Sequence, residues 1–485
     1  MTDRGKHPSG PAPFFHAYDV RARFPQEISP DEAVRLGQAV GEVTRGPVLI
    51  GRDPRKESRI FAAHIRQGLE RAGRPVTDLG IVPTPLVAFW ARRCECVGLV
   101  STPSHNALGY VGLKGFTSQG RIFGSAWSRI RQRYFRIRPG SSRLPRASGA
   151  FRKGGPRVLW HDYVREIVGT RQVSGTVVLD PRGGATARLA PEVFRSLGAR
   201  VIEVHRGYSP TFFGVSPEPR VSELQDLGAI VRRHRALFGA TWDGDGDRVL
   251  LVDSQGTPIE PEVVALLLYG DRGASGNPLV ASLDTSYKLE RWVRVIRCRV
   301  GTRYVSEAMR RHRASVGVEA SSHIYLDYHV ESSDGIRVAA EVACRLTADP
   351  RALEGQRARL GGIHRQALTL EQDDFPQARR VYRDLRRNAP ATLRRSLEGF
   401  QIRVPAGRIL VRLSNTQPAV RLALEGETRQ DLGELRELVE RWVRSVVPGR
   451  SGLPDPATRG RQARAHSGYK GDPSRSKPGP EESSS

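Results

Sequence analysis

The sequence predicts an α/β protein of several domains, and three observations carry that expectation. Strand-like apolar runs alternate with helical stretches over most of the chain. Three of the resulting units are similar in size, and the segment that follows them has a different texture. At 485 residues, of which 38% are hydrophobic, the chain can fold around three or four cores.

The first unit, 1–150, contains Val48-Leu49-Ile50 leading into Gly51-Arg52-Asp53, then a helical stretch to about Ala72. Val97-Gly98-Leu99-Val100 follows and leads into Ser101-Thr102-Pro103-Ser104. A stretch rich in Pro, Gly and Ser at 139–156 marks the first boundary. The second unit, 151–255, opens with a helix from Trp160 to Val168. The strand Val177-Val178-Leu179-Asp180, a Gly183-Gly184 turn and another helix come next, without a complete dinucleotide fingerprint. The third unit, 256–368, has a strand at Leu279–Leu283. The fourth, 369–450, reads as α+β, with strands at Phe400–Val404, Ile409–Leu413 and Val420–Leu424 and a final helix. Residues 451–485, rich in Gly, Pro, Ser and Arg, read as a disordered tail.

Composition narrows the function classes. Residues 1–30 hold no apolar stretch of signal-peptide length, and no run approaches the ~20 apolar residues of a membrane span. Cys94, Cys96, Cys298 and Cys344 are too scattered for a disulfide framework or a closed metal site. A cytoplasmic protein without membrane contact is the expectation. The net charge of +26 is carried almost wholly by arginine, since only seven of the 77 basic residues are lysine. The densest basic stretch, 121–157, has eleven basic and no acidic residues, interleaved with Phe123, Trp127, Tyr134 and Phe135. It reads either as a nucleic-acid-binding surface or as an amphipathic helix with its apolar residues turned inward, followed by a linker. A positive field also attracts a small phosphorylated substrate.

Four loops carry candidate chemistry. In Asp243-Gly244-Asp245-Gly246-Asp247-Arg248, three carboxylates at alternate positions repel one another unless a cation sits among them, and Mg²⁺ suits an all-oxygen donor set. An EF-hand is excluded because loop positions six and twelve hold Arg248 and Ser254. Ser104-His105-Asn106 follows a strand-like run, with Gly109, Gly112 and Lys114 beyond; a serine on such a loop can carry a phosphoryl group. In Glu319-Ala320-Ser321-Ser322-His323 the acid and serine can bind sugar hydroxyls, or the segment is a polar turn. Arg412-Leu413-Ser414-Asn415-Thr416-Gln417-Pro418, with Arg421, reads as a cradle for a phosphate dianion or as an ordinary hydrogen-bonded turn.

In this order the loops resemble the α-D-phosphohexomutase family, which includes phosphomannomutase and phosphoglucomutase. The resemblance spans 14–447, from Ala17-Tyr18-Asp19-Val20-Arg21 through Gly51-Arg52-Asp53 and all four loops. It implies three similar mixed α/β domains and a smaller C-terminal α+β domain around a central cleft. Ser104 would be the phosphorylated nucleophile, with His105 and Lys114 completing the catalytic set and Lys114 the candidate for proton transfer. Asp243, Asp245 and Asp247 would hold Mg²⁺ together with a phosphoserine oxygen at Ser104. Substrate contacts would come from Tyr18, Arg21, Arg248, Arg299, Glu319, Ser321, His323, Arg412, Ser414, Asn415, Thr416 and Arg421. The implied reaction interconverts hexose 1-phosphate and 6-phosphate, with a hexose 1,6-bisphosphate as intermediate and activator. The implied partner is the phosphosugar, bound by a monomer or a dimer.

Departures from the family pattern are visible. Its Thr-Ala-Ser-His-Asn-Pro is here Thr102-Pro103-Ser104-His105-Asn106-Ala107, and its Gly-Glu-Met-Ser-Gly-His is Val318-Glu319-Ala320-Ser321-Ser322-His323. Ser-Asn-Thr in the last loop resembles the mannose/glucose branch more than the glucosamine branch, which tends to carry Ser-Gly-Thr. A phosphoglucosamine mutase, a weakly catalytic sugar-phosphate-binding protein and nucleic-acid binding through 121–157 are the alternatives.

Overall fold

The computed structural model describes residues 14–16, 19–137, 156–270, 276–326, 332–414 and 418–447. The first domain runs through β1 (Val20–Arg23), α1 (Pro30–Val43), β2 (Val48–Arg52), α2 (Lys56–Arg71), β3 (Val76–Ile81), α3 (Thr84–Arg93), β4 (Val97–Ser101), β5 (Tyr110–Phe116) and α4 (Ala126–Arg136). Its sheet order is β1-β5-β4-β2-β3. The inner strands are continuous apolar runs because helices cover both faces, and every residue of β4 is buried. Helix α1 starts where it does because Ser29 and Glu32 form a reciprocal capping box and Pro30 suits the first turn.

The second domain comprises α5 (Pro156–Val168), β6 (Thr176–Asp180), α6 (Leu189–Ser196), β7 (Arg200–Glu203), α7 (Gln225–Arg233), β8 (Phe238–Trp242), β9 (Val249–Asp253) and β10 (Pro258–Ile259), with sheet order β10-β9-β8-β6-β7. The third has α8 (Pro261–Tyr269), β11 (Leu279–Ser282), β12 (Val295–Cys298), α9 (Thr302–His312), β13 (Val316–Val318), β14 (Ile324–Leu326), α10 (Gly335–Ala348) and α11 (Ala352–Leu360), ordered β12-β11-β13-β14. The fourth contains β15 (His364–Glu371), α12 (Phe375–Arg387), β16 (Leu393–Arg395), β17 (Phe400–Val404), β18 (Gly407–Leu413), β19 (Ala419–Gly426) and α13 (Arg429–Val446), in the wholly antiparallel order β15-β19-β18-β17-β16.

The first three sheets share one four-strand unit. In β5-β4-β2-β3, β9-β8-β6-β7 and β14-β13-β11-β12 the first pair is antiparallel and the next two pairs are parallel. The three α/β domains expected from the sequence are therefore repeats of one topology. Two strands cross the expected limits. The second sheet keeps β10 past residue 255 because that strand hairpins back onto β9, and β15 begins at His364 because it pairs along its whole length with β19.

One apolar core runs through α3 of the first domain, the second domain and the third, whereas the fourth domain has its own. Across these joins Trp90 Nε1 donates to Leu159 O at 2.6 Å, and Tyr163 OH donates to Asp334 Oδ2 at 2.6 Å. Helix α4 buries Ala126, Trp127, Ile130 and Tyr134 on one face and packs on α1, with Arg35 over the Tyr134 ring at 4.0 Å. Within the basic stretch, Ala126–Arg136 is thus an amphipathic helix with Trp127 and Tyr134 inward and Phe135 exposed; residues 138–155 and the tail lie outside the described residues. No helix among the described residues is long and apolar enough to cross a membrane, and all four cysteines are free.

Candidate active site

The chemical loops of the first three domains occupy one topological position, the antiparallel connection that closes the four-strand unit. Ser104 lies between β4 and β5, the aspartate loop between β8 and β9, and Glu319 between β13 and β14. Residues of all four domains then meet at a cavity of about 270 Å³. Arg21, Ser104, His105 and Lys114 line it from the first domain, Asp247 and Arg248 from the second. Glu319, Ser321 and His323 come from the third, and Arg412, Ser414 and Arg421 from the fourth.

Ser104 is buried and its backbone has φ +57°, a left-handed conformation uncommon outside glycine. Its Oγ donates to Asp243 Oδ2 at 2.7 Å and lies 3.2 Å from His105 Nδ1. Arg248 donates to the same Nδ1 at 3.1 Å, which makes that nitrogen an acceptor. Burial, reinforced by the charges of Arg248, Arg21 and Lys114, holds the imidazole pKa well below its ordinary value, so His105 is neutral. Arg21 is fixed by Asp19 at 2.8 Å and reaches Asn106 Oδ1 at 2.9 Å.

Asp243, Asp245 and Asp247 lie behind the serine, all buried, with one oxygen of each within 4.8 Å of the others. The two glycines of the loop serve different ends. Gly246 has φ +75°, whereas a Cβ on Gly244 would stand 2.7 Å from Ser104 O, so glycine there permits the serine loop to approach. Lys114 Nζ donates to Asp245 Oδ2 at 2.7 Å and Asp247 Oδ2 at 2.5 Å. Burial disfavours its charge, but the surrounding aspartates more than compensate and raise its pKa. Burial and the neighbouring Asp247 and Asp245 push the Asp243 carboxyl well up. For Asp247, burial is outweighed by Lys114 and His323, which hold the carboxyl well down. Asp245 Oδ1 is buried with no hydrogen-bond partner among the described residues. An all-oxygen triad with an unsatisfied buried carboxylate oxygen fits a hard divalent cation.

Glu319 is buried beside these groups, with Oε1 accepting from Gly301 N at 2.7 Å and Oε2 from Tyr325 OH at 2.5 Å. His323 bridges the loops: its Nδ1 is 2.8 Å from Ser321 Oγ, and its Nε2 is 3.3 Å from both Asp247 Oδ1 and Arg248 Nε. Burial lowers the pKa of Arg421, as does Arg412 beside it; two guanidiniums this close suit an anion between them.

The structure does not bring Arg299 to the cavity. Its exposed side chain donates to Leu397 O at 3.0 Å and lies over the Tyr304 ring, while Arg303, four residues on, lines the cleft. Tyr18, Asn415 and Thr416 lie outside the described residues. Thr84, Glu218 and Tyr325 escaped the sequence reading. Thr84 donates through its Oγ1 to Asp245 Oδ2, and Glu218 stands 3.6 Å from Arg248 Nη1. Tyr325 sits in a plain apolar strand, and only its distance of two residues from His323 hinted at a role.

The chain matches the phosphoglucomutase/phosphomannomutase family domain by domain. Residues 13–140, 161–256 and 263–358 match alpha/beta/alpha domains I, II and III, and residues 370–441 match the C-terminal domain. It is 31% identical over 430 residues to a phosphoglucosamine mutase of Hydrogenovibrio crunogenus, covering 85% of this chain and 94% of that protein. A phosphoglucosamine mutase of Xanthomonas euvesicatoria is 30% identical over 89% of this chain and 98% of its own length. Among solved structures, a phosphoglucomutase/phosphomannomutase family protein of Burkholderia thailandensis superposes with TM-score 0.77 at 27% identity, covering 92% of this chain and 99% of that one. A putative phosphomannomutase of Thermus thermophilus, at TM-score 0.72 and 24% identity over 88% of this chain and 98% of that one, is alike in fold.

Proposed function

This chain belongs to the phosphoglucomutase/phosphomannomutase family, and we propose that it moves a phosphoryl group between the 1- and 6-oxygens of a hexose. The route runs through a phosphoserine at Ser104 and a hexose 1,6-bisphosphate. One observation carries the reading: a left-handed, buried serine hydroxyl 2.7 Å from a three-aspartate cluster, on a cleft that also holds the Arg412, Ser414 and Arg421 cradle.

In the forward half-reaction a sugar hydroxyl oxygen bonds to the phosphorus, the bond from phosphorus to Ser104 Oγ breaks, and the proton given up by the hydroxyl ends on Ser104 Oγ. The bisphosphate turns over, and Ser104 Oγ then takes back the other phosphoryl group. Asp243, Asp245 and Asp247 would hold Mg²⁺ with an oxygen of phosphorylated Ser104, and the ion would supply positive charge against the charge that phosphoryl transfer concentrates. Lys114, the candidate for proton transfer near Ser104, stands 2.7 Å from Asp245 Oδ2 and 2.5 Å from Asp247 Oδ2, beside the metal loop. His105 lies within reach of Oγ, and its Nδ1, which accepts from Arg248, would help orient the serine loop in the cleft. Glu319 is held rigid by Gly301 and Tyr325 and keeps lone pairs for paired sugar hydroxyls. Arg412, Ser414 and Arg421, with Asn415 and Thr416 of the same loop, would grip the phosphate that is not transferred.

Glucosamine phosphate is the substrate favoured by the two relatives named as phosphoglucosamine mutases. A second reading, mannose or glucose phosphate, is favoured by Asn415, which stands where the glucosamine branch tends to carry Gly. The test incubates the protein with Mg²⁺, catalytic glucose 1,6-bisphosphate and, separately, glucosamine, mannose and glucose 1-phosphates. Formation of glucosamine 6-phosphate fastest supports the first reading. Preference for mannose or glucose supports the second, and no product from any sugar contradicts the proposal.

A further inference from the structure

A buried serine keeps a left-handed backbone only where its surroundings over-determine it. What holds Ser104 lies outside the cleft. Its N–H donates to Thr102 Oγ1 at 2.9 Å, and that hydroxyl, with one proton to give, donates to Asp53 Oδ2 at 2.8 Å. The carbonyl of Ser104 accepts from Arg55 Nη2 at 3.0 Å, and the same nitrogen donates to Asn106 O at 2.6 Å. Asp53 ties the two arms together: Oδ1 accepts the backbone N–H of Arg55 at 3.1 Å, and Oδ2 stands 3.4 Å from Arg55 Nη1. Asp53 and Arg55 are 0% exposed and Thr102 is 1% exposed, and none of the three lines the cavity. Both the amide and the carbonyl of the nucleophile are therefore clamped by one buried ionic brace that substrate does not touch.

The second domain repeats the device. Asp53-Pro54-Arg55 follows β2, and Asp180-Pro181-Arg182 ends and follows β6, the strand in the equivalent place. Arg182 N–H donates to Asp180 Oδ1 at 2.9 Å, and Arg182 Nε donates to Ser216 O at 2.8 Å. The next residue, Pro217, accepts from Gly244 N–H in the aspartate loop at 3.1 Å. In both domains an Asp-Pro-Arg tripeptide braces the loop that carries the chemistry.

We propose that Thr102, Asp53 and Arg55 are positioning residues that fix the direction of Ser104 Oγ toward the aspartate loop and the sugar oxygen. The inference rests on the mutase reading of this site. Thr102→Val keeps the side-chain shape but removes both arms of the hydroxyl relay, and Thr102→Ser restores them. With whichever of glucosamine, mannose or glucose 1-phosphate the unaltered protein turns over, Thr102→Val lowers kcat about a hundred-fold. KM is unchanged because the brace makes no substrate contact, Thr102→Ser recovers most of kcat, and a crystal of the Val variant has Ser104 outside the left-handed region. A folded Val variant with unaltered kcat, or one whose Ser104 has not moved, overturns the proposal. Should Thr102→Val fail to fold, Arg55→Lys asks the same question, since an ammonium lacks the planar fork whose Nη1 faces Asp53 while Nη2 serves both carbonyls; there too an unaltered kcat overturns it. Unaltered protein inert on all three sugars overturns the mutase reading alone, and the Ser104 backbone in the variant crystal then decides the positioning claim.

Discussion

Gly244 and Ser322 illustrate how a single backbone position constrains the site. A methyl group on Gly244 would meet the carbonyl oxygen of Ser104, which the brace prevents from yielding. Gly244→Ala should therefore lower turnover about a hundred-fold while the protein stays folded, as seen by steady-state kinetics beside circular dichroism. Ser322 has φ +66° where the family pattern has glycine. Ser322→Gly should raise unfolding free energy by about 1 kcal/mol in a denaturant titration, because only the native state carries the left-handed strain. At this scale the sequence was informative wherever a motif is contiguous: Ser104, the three aspartates, Glu319 and His323 each stand in a short motif, and the structure gathers them at one cleft. It was silent where the partner is remote, as with Thr84 against Asp245. Arg299 shows the remaining limit, since a motif register does not say which way an exposed side chain turns.

At the scale of elements, the alternation of apolar runs with helices translated directly into strands and crossovers, because buried inner strands need continuous apolar sequence. The limits of the domains were less legible. A short return strand such as β10 has almost no sequence signature, and its place in the second sheet comes from pairing with β9. Helix α4 is where composition and periodicity competed. Its arginines suggested a polyanion partner, but the spacing of Trp127, Ile130 and Tyr134 puts them on one buried face. Ile130→Ala should cost about 2–4 kcal/mol in a denaturant titration. Replacing the exposed Arg129 and Arg131 with Gln should change stability by less than about 0.5 kcal/mol.

At the scale of the whole molecule, three copies of one sheet unit bring three different loops to a common cavity, and the fourth domain adds a pair of arginines. That last domain is joined to the third by buried charge: Arg408 Nη2 donates to Glu425 Oε2 at 2.7 Å and to Thr285 O at 2.8 Å, while Ser286 donates to Glu425. Glu425→Ala leaves Arg408 buried without its counter-charge and should cost about 3–5 kcal/mol by chemical denaturation, with apolar replacement of both partners recovering much of that loss. The central claim is that Ser104 carries the phosphoryl group, and phosphopeptide mass spectrometry after incubation with Mg²⁺ and glucose 1,6-bisphosphate tests it most directly. Phosphate should appear on the peptide containing Ser104 and be absent from Ser104→Ala. Turnover of a hexose phosphate by Ser104→Ala at the rate of the unaltered protein would contradict it.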